Sequence, residues 1–94
     1  MVMGGRVTSF AQDVKACALG QASASVLGAA VLGRNRAELE AARDALRAML
    51  QGGPVPAAPF ADYEVLIPAR DYKNRHASIM LPLEAVVEAI IASE

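Results

Sequence analysis

The sequence predicts a small α+β domain in which helices make up most of the structure. One segment near the N-terminus alternates as a β-strand does, and three later segments have helical periodicity or composition. Glycine and proline separate these segments. The chain has 94 residues, the size of one domain, so we expect a single domain over residues 1–94.

Composition limits the classes of function. The apolar share is 54%, much of it alanine, which predicts a core of closely packed helices. Nine basic and ten acidic residues give a net charge of −1, without the basic face that nucleic-acid binding requires. The N-terminus lacks the apolar region of a signal peptide, and no segment has the roughly 20 apolar residues that span a bilayer. We therefore expect a cytoplasmic protein that binds neither nucleic acid nor membrane.

The N-terminal part of the chain contains a predicted strand and a predicted helix. Residues 6–14 alternate crudely, and the strand that they predict needs partner strands that the sequence does not show. One face of this strand would carry Thr8, Phe10, Gln12 and Val14. Residues 18–32 are rich in small residues and predict a helix that packs closely on its neighbours and ends at Gly33.

The clearest amphipathic helix lies in the middle of the chain. Asn35 and Glu38 predict a capping box at its start, and the sequence Gly-Gly-Pro at 52–54 ends it. Its apolar stripe consists of Leu39, Ala42, Leu46, Met49 and Leu50.

The C-terminal part predicts a loop, a few helical turns and a last helix. Residues 52–59 are rich in proline and glycine and predict a loop. Residues 60–66 predict one or two helical turns that end at Pro68, with Phe60, Tyr63 and either Leu66 or Ile67 facing inward. The last helix is predicted over 78–92, with Ser78 as N-cap and Pro82 at the edge of the first turn. Its buried face would be formed by Ile79, Leu83, Val86, Val87 and Ile90.

Cys17, the only cysteine, lies at the predicted start of the first helix. Unpaired amides and the helix dipole favour a thiolate at such a position, and Lys15 is close in sequence. The alternative is a small buried residue without chemistry. The two serines that follow, Ser23 and Ser25, are interpreted as small residues that permit close helix packing.

His76, the only histidine, precedes the last helix and is a candidate metal ligand, a candidate general base or a polar residue at a helix start. A Cys/His hydrolase would need Cys17 and His76 within hydrogen-bond reach. Two ligands alone fall short of the four of a closed zinc site. The preceding polar segment contains Arg70, Lys73 and Arg75, which form either a solvated loop or a charged docking surface beside the thiol.

The segment C-A-L-G-Q-A-S-A-S-V-L at residues 17–27 resembles the second-cysteine motif of the NifU/IscU-like iron–sulfur cluster scaffold proteins. That motif reads G-C-x-I-S-x-A-S-A-S-x-[ML] and lies between a strand and a helix. The order of elements that follows is also similar, so the resemblance covers nearly the whole chain. It implies an α+β fold in which a small antiparallel sheet packs against three or more helices. The family's upstream hairpin, with its C-G-D motif, has no counterpart here, so one or two strands are expected.

The resemblance implies a non-enzymatic scaffold for iron–sulfur cluster assembly. Such a protein accepts sulfur from a cysteine desulfurase, binds iron or a cluster, and passes the cluster to apo-proteins. Cys17 would be the persulfide acceptor or a cluster ligand. The family's third cysteine falls on His76, Ala77 or Ser78 in three alternative alignments, so His76 is carried over as the auxiliary ligand of iron, of a cluster or of zinc.

Two ligands from one chain leave a cluster site open, so a homodimer or external ligands would have to complete it. The alternative function is a helical interaction module that keeps the fold without cluster chemistry and binds a partner such as a cysteine desulfurase. Arg70, Lys73 and Arg75 would then form the docking surface.

Overall fold

The structure is a computed structural model and describes residues 2–7 and 18–94. Its elements are β1 (Val2–Met3), β2 (Arg6–Val7), α1 (Ala18–Ala30), α2 (Arg36–Leu50), a long 3-10 helix (Ala61–Asp71), a short 3-10 helix (Lys73–Arg75) and α3 (His76–Ala92). This arrangement of a small antiparallel sheet and three α-helices confirms the predicted α+β class. The helices share one apolar core. No described helix is long and apolar enough to cross a membrane.

The two strands form a hairpin that the sequence analysis did not predict. Gly4 and Gly5 have φ angles of 57° and 74°, which is the geometry of a two-residue type I′ turn. β2 is anchored to the turn between α1 and α2, since the Val7 amide donates to the Arg34 carbonyl and the Gly33 amide donates to the Val7 carbonyl. The Gly-Gly dipeptide was the missed signal. The strand was predicted over residues 6–14; its first two residues form β2, and residues 8–14 lie outside the described residues.

α1 ends at Ala30, two residues before the predicted end, and Gly33 adopts the expected positive φ of 80° just beyond it. Its buried face consists of Gly20, Ser23, Ala24 and Leu27. These residues are mostly small, so the backbone of α1 packs closely against α3.

The start and the inner face of α2 are as the sequence predicts. The Glu38 amide donates to Asn35 Oδ1 at 2.9 Å, and the Asn35 amide donates back to Glu38 Oε1 at 3.2 Å, which confirms the capping box. All five residues of the predicted stripe are buried. At the other end, the Gly53 amide donates to the Ala48 carbonyl at 2.7 Å, and a Cβ at Gly53 would lie only 2.7 Å from that same oxygen. The chain therefore leaves α2 through a position that has room only for glycine.

The segment after the loop is longer than predicted. Phe60, Tyr63 and Leu66 face inward as expected, and Ala69 continues the same row. This spacing of three residues matches the three residues per turn of a 3-10 helix, so one face remains buried along the whole element. The prediction that Pro68 ends the segment is wrong, because Pro68 lies on the exposed side and the 3-10 helix continues to Asp71.

α3 begins at His76, two residues before the predicted start, so Ser78 is not its N-cap. Pro82 consequently lies in the second turn and is buried. Because proline has no amide hydrogen, it cannot donate to the Ser78 carbonyl, and this turn has one internal hydrogen bond fewer than a regular helix. The predicted inner face is confirmed, with Ile79, Leu83, Val86, Val87 and Ile90 all buried.

Candidate ligand site at the start of the last helix

The structure describes only one of the two predicted ligands, His76. Cys17 and its neighbour Lys15 lie outside the described residues, so their assigned roles remain predictions. Ala18, which follows Cys17 in the sequence, is the first residue of α1. His76 is the first residue of α3 and is half-buried. Only His76 is therefore placed at a helix start by the structure, and the position of Cys17 remains a prediction.

Backbone carbonyls hold the His76 ring. His76 Nε2 lies 3.1 Å from the Ala69 carbonyl oxygen and 3.2 Å from the Arg70 carbonyl oxygen. Carbonyl oxygens only accept hydrogen bonds, so Nε2 must carry the proton. In the neutral ring, the lone pair that can bind a metal is therefore on Nδ1. Metal-binding histidines commonly use such a backbone hydrogen bond to fix the tautomer and the ring orientation.

His76 lines an open cleft of about 680 Å³ between the end of α2 and the start of α3. The cleft is lined by Leu50, Gln51, Gly52, Arg70, Asp71, Lys73 and His76. The structure thus brings three predicted site residues, Arg70, Lys73 and His76, to one cavity. Asp71 and Gln51 add oxygen atoms to it, and the sequence analysis assigned neither of them a role.

Arg70 lines the cleft and is hydrogen-bonded to the end of α2. Its Nε donates to the Met49 carbonyl at 2.6 Å, and its terminal nitrogen donates to the Gly53 carbonyl at 2.5 Å. Positive charge at a helix C-terminus also interacts favourably with the helix dipole. The guanidinium therefore fastens the end of the long 3-10 helix to the end of α2, and two of its donors are engaged within the chain.

Lys73 and Arg75 are exposed, and within residues 2–7 and 18–94 neither forms an ion pair. Tyr72, between Arg70 and Lys73, is 59% exposed. The two cations and the aromatic ring form a surface that is available to a partner of negative charge. Docking at this surface remains a prediction.

A buried contact joins α1 and α3. The Ser23 side chain of α1 is fully buried, and its Oγ donates to the Ile79 carbonyl of α3 at 2.5 Å. The sequence analysis interpreted Ser23 only as a small packing residue. Its partner lies 56 positions further along the chain, so local spacing gave no signal of this bond.

Tyr63 of the long 3-10 helix is also fully buried, and its hydroxyl has no hydrogen-bond partner among the described residues. Burial raises the pKa of its phenol, and the neighbouring Ser23 hydroxyl opposes part of that rise. The phenol therefore stays protonated at neutral pH.

The described residues do not form a closed metal site by themselves. No group of three or more histidine, cysteine, aspartate or glutamate side chains is placed to hold a metal ion in residues 2–7 and 18–94. His76 could offer one nitrogen, Nδ1, to a metal, and its auxiliary role remains a prediction. Further ligands would have to come from Cys17 and from outside this part of the chain.

The fold has a close counterpart among solved structures. The crystal structure of the N-terminal part of a nitrogen-fixing NifU-like protein from Brucella abortus aligns with 96% of this chain at a TM-score of 0.90 and 52% sequence identity. This chain spans 63% of the length of that one. Comparisons with protein-family models and with curated proteins gave no match.

These values define the fold as that of a NifU-like N-terminal domain, in agreement with the resemblance read from residues 17–27. At 52% identity the likeness extends beyond the fold to the sequence itself. The chain is therefore similar to a NifU-like N-terminal domain in both fold and sequence.

Proposed function

We propose that this chain is a scaffold for iron–sulfur cluster assembly, which accepts sulfur, binds iron or a cluster, and passes the cluster to apo-proteins. The observation that carries the proposal is the likeness to a NifU-like N-terminal domain over 96% of the chain. That family is associated with iron–sulfur cluster assembly in general. The cluster is the cargo of such a protein, and the chain itself catalyses no reaction.

Cys17 is the proposed sulfur acceptor. Its thiolate attacks the outer sulfur of a persulfide on a donor protein. A new S–S bond forms on Cys17 as the S–S bond of the donor breaks, and the donor leaves as a thiolate. The transfer involves no net oxidation, so it needs no further reactant. Thiolates are also the standard ligands of iron–sulfur clusters.

His76 is the proposed auxiliary ligand. Its Nε2 is occupied by the carbonyls of Ala69 and Arg70, so Nδ1 would bind the metal. Histidine replaces cysteine as a ligand in some iron–sulfur centres. Cys17 and His76 would therefore provide two of the four protein ligands that a cluster needs. A second copy of the chain or bound thiols would provide the other two.

A partner surface follows from the exposed cations. Lys73 and Arg75 lie on the exposed segment that precedes His76, and we assign them to the docking of a cysteine desulfurase. Exposed charges mainly steer association and make its rate depend on salt. This surface also favours the second candidate function, an interaction module that binds a desulfurase without assembling a cluster.

Anaerobic reconstitution of the full chain with iron and sulfide tests the proposal. The parent chain should retain iron and sulfide after gel filtration, Cys17→Ala should lose both, and His76→Ala should retain less. Asn74→Ala is the matched control, since Asn74 is exposed in the same segment and offers no ligand of comparable strength. If Cys17→Ala holds as much iron and sulfide as the parent chain, Cys17 does not have the role assigned to it.

The surface is tested separately with a purified cysteine desulfurase. Charge reversal at Lys73 and Arg75 should slow complex formation, and the effect should shrink as salt is added. Arg43→Glu, which reverses a charge on α2 away from the cleft, is the control. If the parent chain, the variant reversed at Lys73 and Arg75, and Arg43→Glu all associate at the same rate, this docking surface is excluded. A chain that binds the desulfurase but never retains iron would favour the interaction module.

A further inference from the structure

The outer sides of α2 and α3 form a groove that shares no residue with the cleft at His76. Two exposed apolar residues of α3 line it, Leu81 and Ile91, with exposed fractions of 61% and 39%. Isolated apolar residues are common on protein surfaces, so these two alone do not indicate a partner. α3 is apolar on its inner side and on part of its outer side, a composition typical of a helix that is covered on more than one side.

The two sides of the groove carry opposite charges. Arg43 and Arg47 line it from α2, and Glu84 and Glu88 line it from α3. Arg47 donates to Glu84 across the groove at 3.2 Å. Glu88 forms no ion pair within residues 2–7 and 18–94. Asp44 contacts both arginines but does not line the groove, so the side that α2 contributes is basic and the side that α3 contributes is acidic.

The two helices run in opposite directions along this groove. Arg36 of α2 donates to Glu94 at 2.7 Å, beyond the end of α3, and Arg47 donates to Glu84 at 3.2 Å. Residue numbers therefore rise along α2 in the direction in which they fall along α3. Each step along α2 has a counterpart at the same height on α3.

The charges match in height. Arg43 lies four residues before Arg47, and Glu88 lies four residues after Glu84, which is about 6 Å in the same direction on both helices. A two-fold axis along the groove lays α2 of each copy on α3 of the other and keeps every residue at its own height. Arg47 then faces the partner's Glu84, and Arg43 faces the partner's Glu88. A two-fold axis across the groove would lay α2 on α2 and oppose like charges, so the charge pattern selects the first arrangement.

We propose that this face joins two copies of the chain in an isologous dimer, in which α2 of each copy packs on α3 of the other. The partner then covers Leu81 and Ile91, and the unpaired Glu88 gains an arginine. The face is small, so the dimer is weak, and at the low concentrations of an association-rate measurement the chain is a monomer. The inference does not rest on the proposed function, because no residue of this face lines the cleft.

Sedimentation equilibrium of the full chain tests the dimer. A reducing buffer excludes a disulfide between two copies of Cys17. The weight-average mass should rise from 9.8 kDa towards twice that value as the protein concentration increases. It should rise less at high salt, because screening weakens ion pairs between exposed groups. A mass that stays at 9.8 kDa at every concentration overturns the proposal.

Charge reversal on each side of the groove tests the arrangement. Arg47→Glu and Glu84→Lys each oppose like charges across the interface, so each should weaken dimerisation about tenfold. An equal mixture of the two variants should dimerise about as well as the parent chain, because each copy then offers the charge that the other needs. Glu64→Lys, which reverses an exposed charge on the long 3-10 helix, is the control and should dimerise like the parent.

A matched pair of exposed apolar residues tests the remaining contact. Leu81→Ser should weaken dimerisation about tenfold, because it removes apolar area that the partner covers. Val65→Ser changes a residue that is 62% exposed on the long 3-10 helix and should have no effect. Circular dichroism shows that each variant is folded before its mass is measured.

The remaining outcomes separate the face from its arrangement. If Arg47→Glu, Glu84→Lys and Leu81→Ser all dimerise like the parent chain, the dimer uses another face and the proposal is wrong. If both charge variants dissociate and their mixture does not recover, α2 does not face α3 of the partner, and the proposed two-fold axis is wrong.

Discussion

Replacing Arg70 by alanine should lower the stability of the folded chain, because Arg70 ties the end of the long 3-10 helix to the end of α2. The guanidinium donates to two carbonyls, those of Met49 and Gly53, at 2.6 and 2.5 Å. A hydrogen bond that involves a charged group contributes about 1.5–3 kcal/mol when it is buried. Arg70 is only half-buried, so water replaces part of each bond, and we take about 1 kcal/mol for each. The expected loss in the free energy of unfolding is about 2 kcal/mol.

In a domain of this size, 1 kcal/mol corresponds to a shift of about 4–8 °C in Tm, so Arg70→Ala should melt about 10 °C lower. Urea unfolding followed by circular dichroism gives the free energy directly. Arg70→Lys should lose nearly as much, because an ammonium cannot reproduce the fork that reaches both carbonyls. Arg75→Ala, an exposed residue of the same segment, is the control and should change stability by less than about 0.5 kcal/mol. If Arg70→Ala is no less stable than Arg75→Ala, the two bonds do not hold the cleft together.

Three further predictions concern single positions. Gly53→Ala should lose about 2 kcal/mol in urea unfolding, because its Cβ would lie 2.7 Å from a backbone oxygen, whereas Gly28→Ala has open space in α1 and should gain up to about 1 kcal/mol. A loss at both positions would refute the steric reason. Tyr63→Phe should leave stability unchanged or raise it by about 1 kcal/mol, since it removes a buried hydroxyl that has no partner among the described residues; a clear loss would show a missing partner. The backbone amide of Asn35 is the main cause that holds the pKa of Glu38 below its usual range. The ionised Glu38 side chain therefore adds to the free energy of unfolding. This addition is complete above the unfolded pKa of about 4.3 and is lost as the pH falls through the lower pKa of the folded state. Between about pH 5 and pH 3, the free energy of unfolding should fall less in Glu38→Gln than in the parent chain. The same fall in both proteins would contradict this.

The parts of the fold that were predictable are those set by local sequence. Asn35 and Glu38 form a capping box through contacts three residues apart, and the stripe of α2 follows from helical spacing alone. The inward row of the 3-10 helix, Phe60, Tyr63 and Leu66, was found for the same reason. The resemblance of residues 17–27 then pointed to NifU-like proteins, and the likeness to a NifU-like N-terminal domain agrees with it.

Errors arose where tertiary contacts override local signals. Pro68 was expected to end a helix, but it lies on the exposed side of a 3-10 helix whose other face is buried along its length. The bond between Ser23 and Ile79 and the two bonds of Arg70 join residues far apart in sequence, so no spacing rule predicts them. The hairpin at Gly4 and Gly5 did have a local signal, a two-glycine turn, that was not used.

Cluster transfer tests the central claim most directly. The reconstituted chain is mixed anaerobically with an apo-ferredoxin, and the absorbance of the ferredoxin cluster is followed over time, with free iron and sulfide at the same concentrations as the reference. We predict that the chain fills the ferredoxin faster than the free ions do, and that chain carrying Cys17→Ala gives only the rate of the free ions. Equal rates with the parent chain, the variant and the free ions would contradict a scaffold function.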